Sequence, residues 1–394
     1  MSEYLPYGKH YIDEEDIESV VDVLRNRNLT QGELVNEFEE AVAKYVGAQY
    51  AVAVSSWTSG LHLAVLAANV SAGDRVITSP NTFVSSANCS IFCGAIPEFS
   101  DIDPHTLNLD SDLLSEKINE LKSVKALIPV HYAGLPCDMD RISAIAKKND
   151  IAVIEDAAHA LGAKYADGSM VGSSNFSLMT GFSFHPVKSI ATGEGGMITT
   201  NNEEIYKKLI RLRSHGINKE DDKFQNEKNA LTSKTVNPWY YEMQELGFNY
   251  RITDIQCALG ISQLKKLDQF ISRRRQLVTA YNQAFSGSEL IRPAQINKIE
   301  NSSHHIYPVR INFKKLKLSR AEIMLELQRK KILTQVHYIP VPMHPYYEKL
   351  NYKIEHFPRS QEFYDEALSL PLYYSLKDSD QERVINEIKS VIGI

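Results

Sequence analysis

Lys188 lies in the stretch GFSFHPVKSIATGEGG (residues 181–196), which sets a lysine between two short apolar runs and follows it with a glycine cluster. A lysine amine attacks a carbonyl only as the free base, a form that burial or neighbouring cations make accessible by lowering its pKa. A solvated charge is the ordinary use of such a lysine, so a chemical role needs partners from elsewhere in the chain. In VSSWTSGLHLAV (54–65) a strand ends in hydroxyl residues and a helix begins near Thr58. Free N–H groups and the helix dipole at such a point suit a phosphate, although for this segment alone an ordinary N-cap by Ser56 or Thr58 is the commoner use of such residues. In IAVIEDAAHALGA (151–163) Asp156 closes an apolar run, where open α/β sheets place their ligand-binding residues. A buried carboxylate needs a partner, and a protonated ring nitrogen would supply one. The alternative is a helix N-cap at Asp156, and a helix starting there would turn His159 to the same side. Ser183 precedes Lys188 by five residues, and Gly193, Gly195 and Gly196 follow it, allowing close backbone approach and positive φ. A phosphate site, a buried aspartate and a lysine, all at strand ends of one sheet, describe a pocket for pyridoxal 5′-phosphate. VSSWTSGLHLAV is not GxGxxG, which disfavours a dinucleotide.

The elements that must hold these residues alternate along the first half. DEEDIESVVDVLRNR and ELVNEFEEAVAKYVG carry apolar residues at spacings of three and four and predict two amphipathic helices. YAVAV, RVITS, AIPEF, VKALIPV and IAVIED are short apolar runs separated by helical segments, the pattern of a mostly parallel sheet covered on both faces. After about residue 250 the pattern predicts a helix of some thirty residues (TDIQCALG to AYNQAF) leading to a smaller α/β domain. The expected division is therefore 1–250 and 251–394. The polar, weakly periodic stretch Asn218–Pro238 reads as a mobile loop between the two.

Composition narrows the partners. The 394 residues are 43% hydrophobic and 23% charged, with net charge −6 and no long basic block, which gives no footprint for nucleic acid or an anionic membrane. With no apolar span of membrane length and no leader-like start, the expected location is cytoplasmic. The four cysteines, Cys89, Cys93, Cys137 and Cys257, have no metal-ligand spacing and read as free, mostly buried thiols.

These motifs, with LTQGELVNEFEEAVAKYVG, FSFHPVKSIATGEGGMITT, RLRSHGI, LGFNYRITDIQCALG and HYIPVPMHPYY, make the chain resemble the DegT/DnrJ/EryC1/StrS sugar aminotransferases, pyridoxal-phosphate enzymes of fold type I. The resemblance runs essentially end to end. It implies that Lys188 carries the cofactor as a Schiff base and moves the proton, and that Asp156 pairs with the pyridine nitrogen. It places Thr58, Ser59 and Ser183 on the phosphate, with Asn249 reaching it from the neighbouring subunit of a homodimer. Phe83 would stack on the ring, His159 would sit near O3′, and Tyr250, Arg251, His337 and Tyr338 would lie near substrate; a surface salt bridge is the alternative for Arg251. PWYYEMQELGFNYRITDIQCALG is most similar to members that aminate C4 of a UDP-linked 4-keto-6-deoxy-N-acetylhexosamine for pseudaminic acid, with L-glutamate leaving as 2-oxoglutarate. Other 4-keto nucleotide sugars, of perosamine or bacillosamine type, are the alternative substrates. A sugar dehydratase is disfavoured by the intact Lys188, and a non-enzymatic sensor by the lack of any DNA-binding module. Trp57, Cys257 and His304 depart from the family pattern, which commonly has glycine, alanine and a larger aromatic there.

Overall fold

The computed structural model describes residues 4–121, 123–219, 224–295 and 299–394. Each apolar run becomes a strand of one seven-stranded sheet: β1 (Tyr50–Val54), β2 (Arg75–Thr78), β3 (Ile96–Phe99), β4 (Ala126–Ile128), β5 (Ala152–Asp156), β6 (Met179–Ser183) and β7 (Gly196–Thr200). Their order is β1-β7-β6-β5-β4-β2-β3, and β7 alone in this sheet runs antiparallel to its neighbours. The period-two geometry of a strand sends alternate residues to opposite layers. On β1, Ala51 and Ala53 enter one core with Phe38, Val42 and Phe182, while Val52 and Val54 enter the other with Leu61, Leu63 and Ile198. Both faces are thus apolar, which is why these strands lack a polar side.

The two predicted N-terminal helices form as α1 (Glu14–Asn26) and α2 (Glu33–Val46). α1 starts with an Asp13–Asp16 capping box, and α2 ends on Gly47 at φ +79, a left-handed position suited to glycine. The expected thirty-residue helix is broken: it runs Asp254–Leu264 and then Leu267–Phe285. At the break the Lys266 amine turns to Asp13 and to buried Asp16, the latter at 3.1 Å, while Gln263 Nε2 donates to Asp16 Oδ2 at 2.6 Å. Leu267 and Ile271 pack in the large core, whereas Leu277, Tyr281 and Phe285 pack in a separate one. The break lets one sequence serve both.

That second core lies under a three-stranded antiparallel sheet (Ile291–Pro293, Tyr307–Ile311, Ala367–Leu370) covered by helices Arg320–Arg329 and Asp378–Ile392. Leu5 bridges to Ile332 and is buried in it, so the beginning of the chain packs with the end. Residues 220–223 of the expected loop lie outside the described residues. The rest is more ordered than its polarity suggested. Ile217–Asn218 pairs with Glu242–Met243, and Leu231–Thr232 pairs with Thr235–Val236 across Ser233 and Lys234, both at positive φ. A two-residue turn with positive φ at both positions matches the strand twist and closes a hairpin. Among the described residues, no helix is long and apolar enough to cross a membrane.

Candidate active site

A cavity of about 350 Å³ opens at the carboxyl ends of the parallel strands. Segments following β1, β2, β4, β5 and β6 line it, and they bring together Thr58, Phe83, Asp156, His159, Ser183 and Lys188 with His337 and Tyr338 from beyond residue 330. The mostly parallel sheet explains this convergence: residues far apart in sequence occupy equivalent strand ends.

The segment after β1 forms α3 (Trp57–Ala67), capped by Ser56. Ser56 Oγ accepts from Ser59 N, and Ser59 Oγ accepts from Ser56 N, each at 3.1 Å. Ser59 is therefore buried within the capping box and does not line the cavity, while Thr58 is exposed at the helix start and does. The N-cap alternative is thus realised by Ser56, alongside a helix N-terminus that faces the cavity. At the end of β5 the helix of the alternative reading does not form. Asp156 instead accepts from the backbone N–H of Ala158 at 3.2 Å, an Asx-type turn, and Gly162 adopts φ +83. His159 still reaches the cavity wall.

Asp156 Oδ1 also accepts from Trp57 Nε1 at 2.8 Å, and Oδ2 accepts from Ser86 Oγ at 2.6 Å. Ser86 lies on α4 (Ser85–Phe92). Desolvation lowers the Lys188 amine to about 8, with the Asp156 charge pulling the other way. Lys188 Nζ is 3.5 Å from His305 Nε2. His305, His159 and His337 surround the amine, and all three are held toward neutrality, first by burial and then by the Lys188 charge; His337 falls to about 3. His159 Nδ1 accepts from Ala133 N at 3.3 Å, which leaves Nε2 to donate to Tyr338 Oη at 2.9 Å. His305 was not singled out from the sequence. The doublet His304–His305 just before the strand Tyr307–Ile311 is the signal that could have found it. His305 Nδ1 is buried without a hydrogen-bond partner among the described residues.

Asn249, Tyr250 and Arg251 are not in this cavity. Asn249 is exposed and bridges to Ser214. The Tyr250 hydroxyl is 3.2 Å from His62 Nδ1, and Arg251 lines a different cleft with Gln31, Tyr206 and Arg211. The glycines after Lys188 serve close approach: a Cβ on Gly196 would come within 2.7 Å of Trp57 N, and Gly193 holds φ +82.

An amine whose pKa is lowered to about 8, a carboxylate at a strand end and a helix N-terminus on one cavity fit pyridoxal phosphate. His305, whose Nε2 lies beside the amine, and the exposed Thr58 at the helix start line the same cavity and add polar groups to it. Fold and site together define the class of pyridoxal-phosphate transferases of fold type I. Residues 10–389 match the DegT/DnrJ/EryC1/StrS aminotransferase family, and the chain belongs to it. Among relatives, it is 39% identical to the spore coat polysaccharide biosynthesis protein SpsC of Bacillus subtilis, covering 99% of this chain and 97% of that one. It is 36% identical to the UDP-4-amino-4,6-dideoxy-N-acetyl-beta-L-altrosamine transaminase of Campylobacter jejuni, covering 98% and 97%. Among solved structures, Helicobacter pylori PseC, an aminotransferase involved in the biosynthesis of pseudoaminic acid, superposes with TM-score 0.87 at 30% identity over 99% and 100% of the two chains. The pyridoxal-phosphate form of the putative sugar aminotransferase Spr1654 from Streptococcus pneumoniae gives 0.87 at 31% over 99% of each. The chain is a pyridoxal-phosphate-dependent sugar aminotransferase.

Proposed function

We propose that the enzyme transfers the amino group of L-glutamate to C4 of a UDP-linked 4-keto-6-deoxy-N-acetylhexosamine. The observation that carries this reading is the depressed Lys188 amine facing Asp156 in one cavity, together with the near full-length match to the Campylobacter transaminase. In this reading Thr58, Ser183 and the N-terminus of α3 hold the cofactor phosphate, with Ser59 holding the helix start in shape. Asp156 would accept from the ring nitrogen, Phe83 would lie against the ring, and His159 would sit near its oxygen substituent. Bound there, pyridoxal phosphate supplies an electron sink for carbanion chemistry.

The remaining work falls to this chain's own groups. Lys188 Nζ, its pKa lowered by burial to about 8, is the atom that takes a proton from the donor carbon and returns it to the acceptor. The neutral shell of His159, His305 and His337 keeps other cations from the amine. The His159–Tyr338 hydrogen bond fixes the wall against which the substrate rests, and His337 is itself anchored by Ser369 Oγ at 2.9 Å. We place Asn249, Tyr250 and Arg251 at the site of a second copy, so that a homodimer completes each cavity; their position outside this chain's own cavity agrees with that. The proposed working units are 1–250 and 251–394, the second opening with the linking helices, whose first part packs into the large core.

The similarity to SpsC supports a second reading, in which the acceptor is another 4-keto nucleotide sugar. The two separate in one experiment: nitrogen transfer from 15N-labelled L-glutamate to equal concentrations of UDP- and GDP-linked 4-keto-6-deoxy sugars. Preference for the UDP N-acetyl sugar supports the first reading; label on the GDP sugar alone overturns it.

A further inference from the structure

Trp57 begins α3, yet its indole leaves the helix and lies against β6, with 4% of its surface exposed. Glycines make the room. A Cβ on Gly181 of β6 would lie 1.7 Å from the ring, and one on Gly60, a turn further along α3, would lie 2.7 Å from it. An indole N–H buried this way needs an acceptor, and here the acceptor is Asp156 Oδ1. A carboxylate offers about four lone-pair directions. Among the described residues, Trp57 Nε1 and Ala158 N take those of Oδ1, and Ser86 Oγ, itself 2.8 Å from Thr82 Oγ1, takes one of Oδ2. The direction left over belongs to Oδ2, on a residue that lines the cavity.

We propose that Trp57 is a positioning residue: with Ser86 it locks the plane of the Asp156 carboxylate so that the open Oδ2 direction receives the pyridine N–H of pyridoxal phosphate. The proposal rests on the cofactor being seated against Asp156 as described above. Both donors are neutral, so the carboxylate charge stays available to the ring nitrogen. A lysine or arginine in the same role would compensate that charge and weaken the pairing. The indole also turns a sequence departure into a working part: glycine at position 57 would leave Oδ1 without its side-chain donor.

The test is a double-mutant cycle on cofactor affinity, measured by equilibrium dialysis of apoprotein with pyridoxal phosphate. Trp57→Phe keeps the ring bulk and removes the donor, and should raise the dissociation constant on the order of tenfold, since the lost bond is to a charged group. In an Asp156→Ala background the same change should have no further effect, because its route of action is gone. Equal effects in both backgrounds, or no effect in folded Trp57→Phe protein, overturn the proposal. A second measurement needs no change at Trp57. The chain has two tryptophans, so the 15N-indole spectrum of apoprotein has two signals, and Trp239→Phe identifies that of Trp57. Asp156→Ala should shift the Trp57 signal strongly; an unmoved signal sinks the contact. Wild-type protein that binds no pyridoxal phosphate would instead overturn the cofactor seat itself.

Discussion

Glu155 and Asp156 are consecutive acids on one strand, and they face opposite sides of the sheet with opposite fates. Glu155 is fully buried and sealed: Oε2 accepts from His131 Nε2 at 2.8 Å and Tyr165 Oη at 2.7 Å, and Oε1 accepts from Ser177 Oγ at 2.5 Å and Thr180 Oγ1 at 3.0 Å. Burial alone would raise its pKa, but the hydrogen bond and charge of His131, with help from Ser177 and Tyr165, hold it below the usual glutamate value. Asp156 has three donors and a cavity in front of it. A carboxylate whose four directions are filled by the protein stabilises the fold, whereas one left a direction short is available to a ligand. The contrast separates two residues that composition and spacing treat alike.

The largest effect should come from the group opposite Asp156. Lys188→Ala should slow glutamate deamination on the order of 10³-fold or more, followed as 2-oxoglutarate release. Its melting temperature should hold, since a desolvated cation is removed; a drop in melting temperature with activity retained would make Lys188 structural and break the contrast. Next, Glu155→Ala should lower folding stability by about 3–5 kcal/mol, because it leaves a buried histidine and three hydroxyls without their acceptor. Asp156→Ala should cost less, about 1–3 kcal/mol for the Trp57 indole N–H and Ser86 hydroxyl left without an acceptor, and should lose cofactor affinity. Urea denaturation of both variants decides, and equal losses of stability would refute the assignment of roles.

Acid sharpens the same comparison by a smaller amount. Because the folded-state pKa of Glu155 is depressed, its contribution is fully present above the unfolded value of about 4.3 and is lost as pH falls through the folded value. Glu155→Gln should therefore show a shallower fall in stability below pH 4–5 than wild type, read from denaturation midpoints between pH 3 and 7. Parallel curves would mean that Glu155 is not the acid-sensitive group.

Much of this arrangement was legible in the sequence, for a physical reason. β1, β2, β4 and β5 are buried on both faces, so their apolar runs stand out, and a parallel sheet brings their carboxyl ends together; Thr58, Asp156, Ser183 and Lys188 could therefore be read as one site. What escaped depends on partners distant in sequence. The helix break at Lys265–Lys266 is set by Asp13 and Asp16 some 250 positions earlier. The hairpin around Ser233–Lys234 uses non-glycine residues at positive φ, which carry no turn signature. His305 approaches Lys188 from 117 positions away, and the sealing of Glu155 relies on His131, Tyr165, Ser177 and Thr180, none in a motif.

The smallest predicted effect concerns the amine before any cofactor is bound. Lys188 must be neutral to attack a carbonyl, and its pKa is lowered to about 8 rather than standing at 10.5. The neutral fraction rises through that value, so the rate at which apoprotein captures pyridoxal phosphate should climb about tenfold per pH unit below 8 and level off above it. Stopped-flow absorbance gives this rate directly. His305→Gln keeps a neutral polar group 3.5 Å from the amine and should leave the inflection near 8, moving it by less than half a unit. His305→Glu should raise it, because a carboxylate stabilises the ammonium ion. An inflection near 10 in wild type would mean that the amine is solvated, and Lys188 would then revert to the surface charge that its type alone suggests.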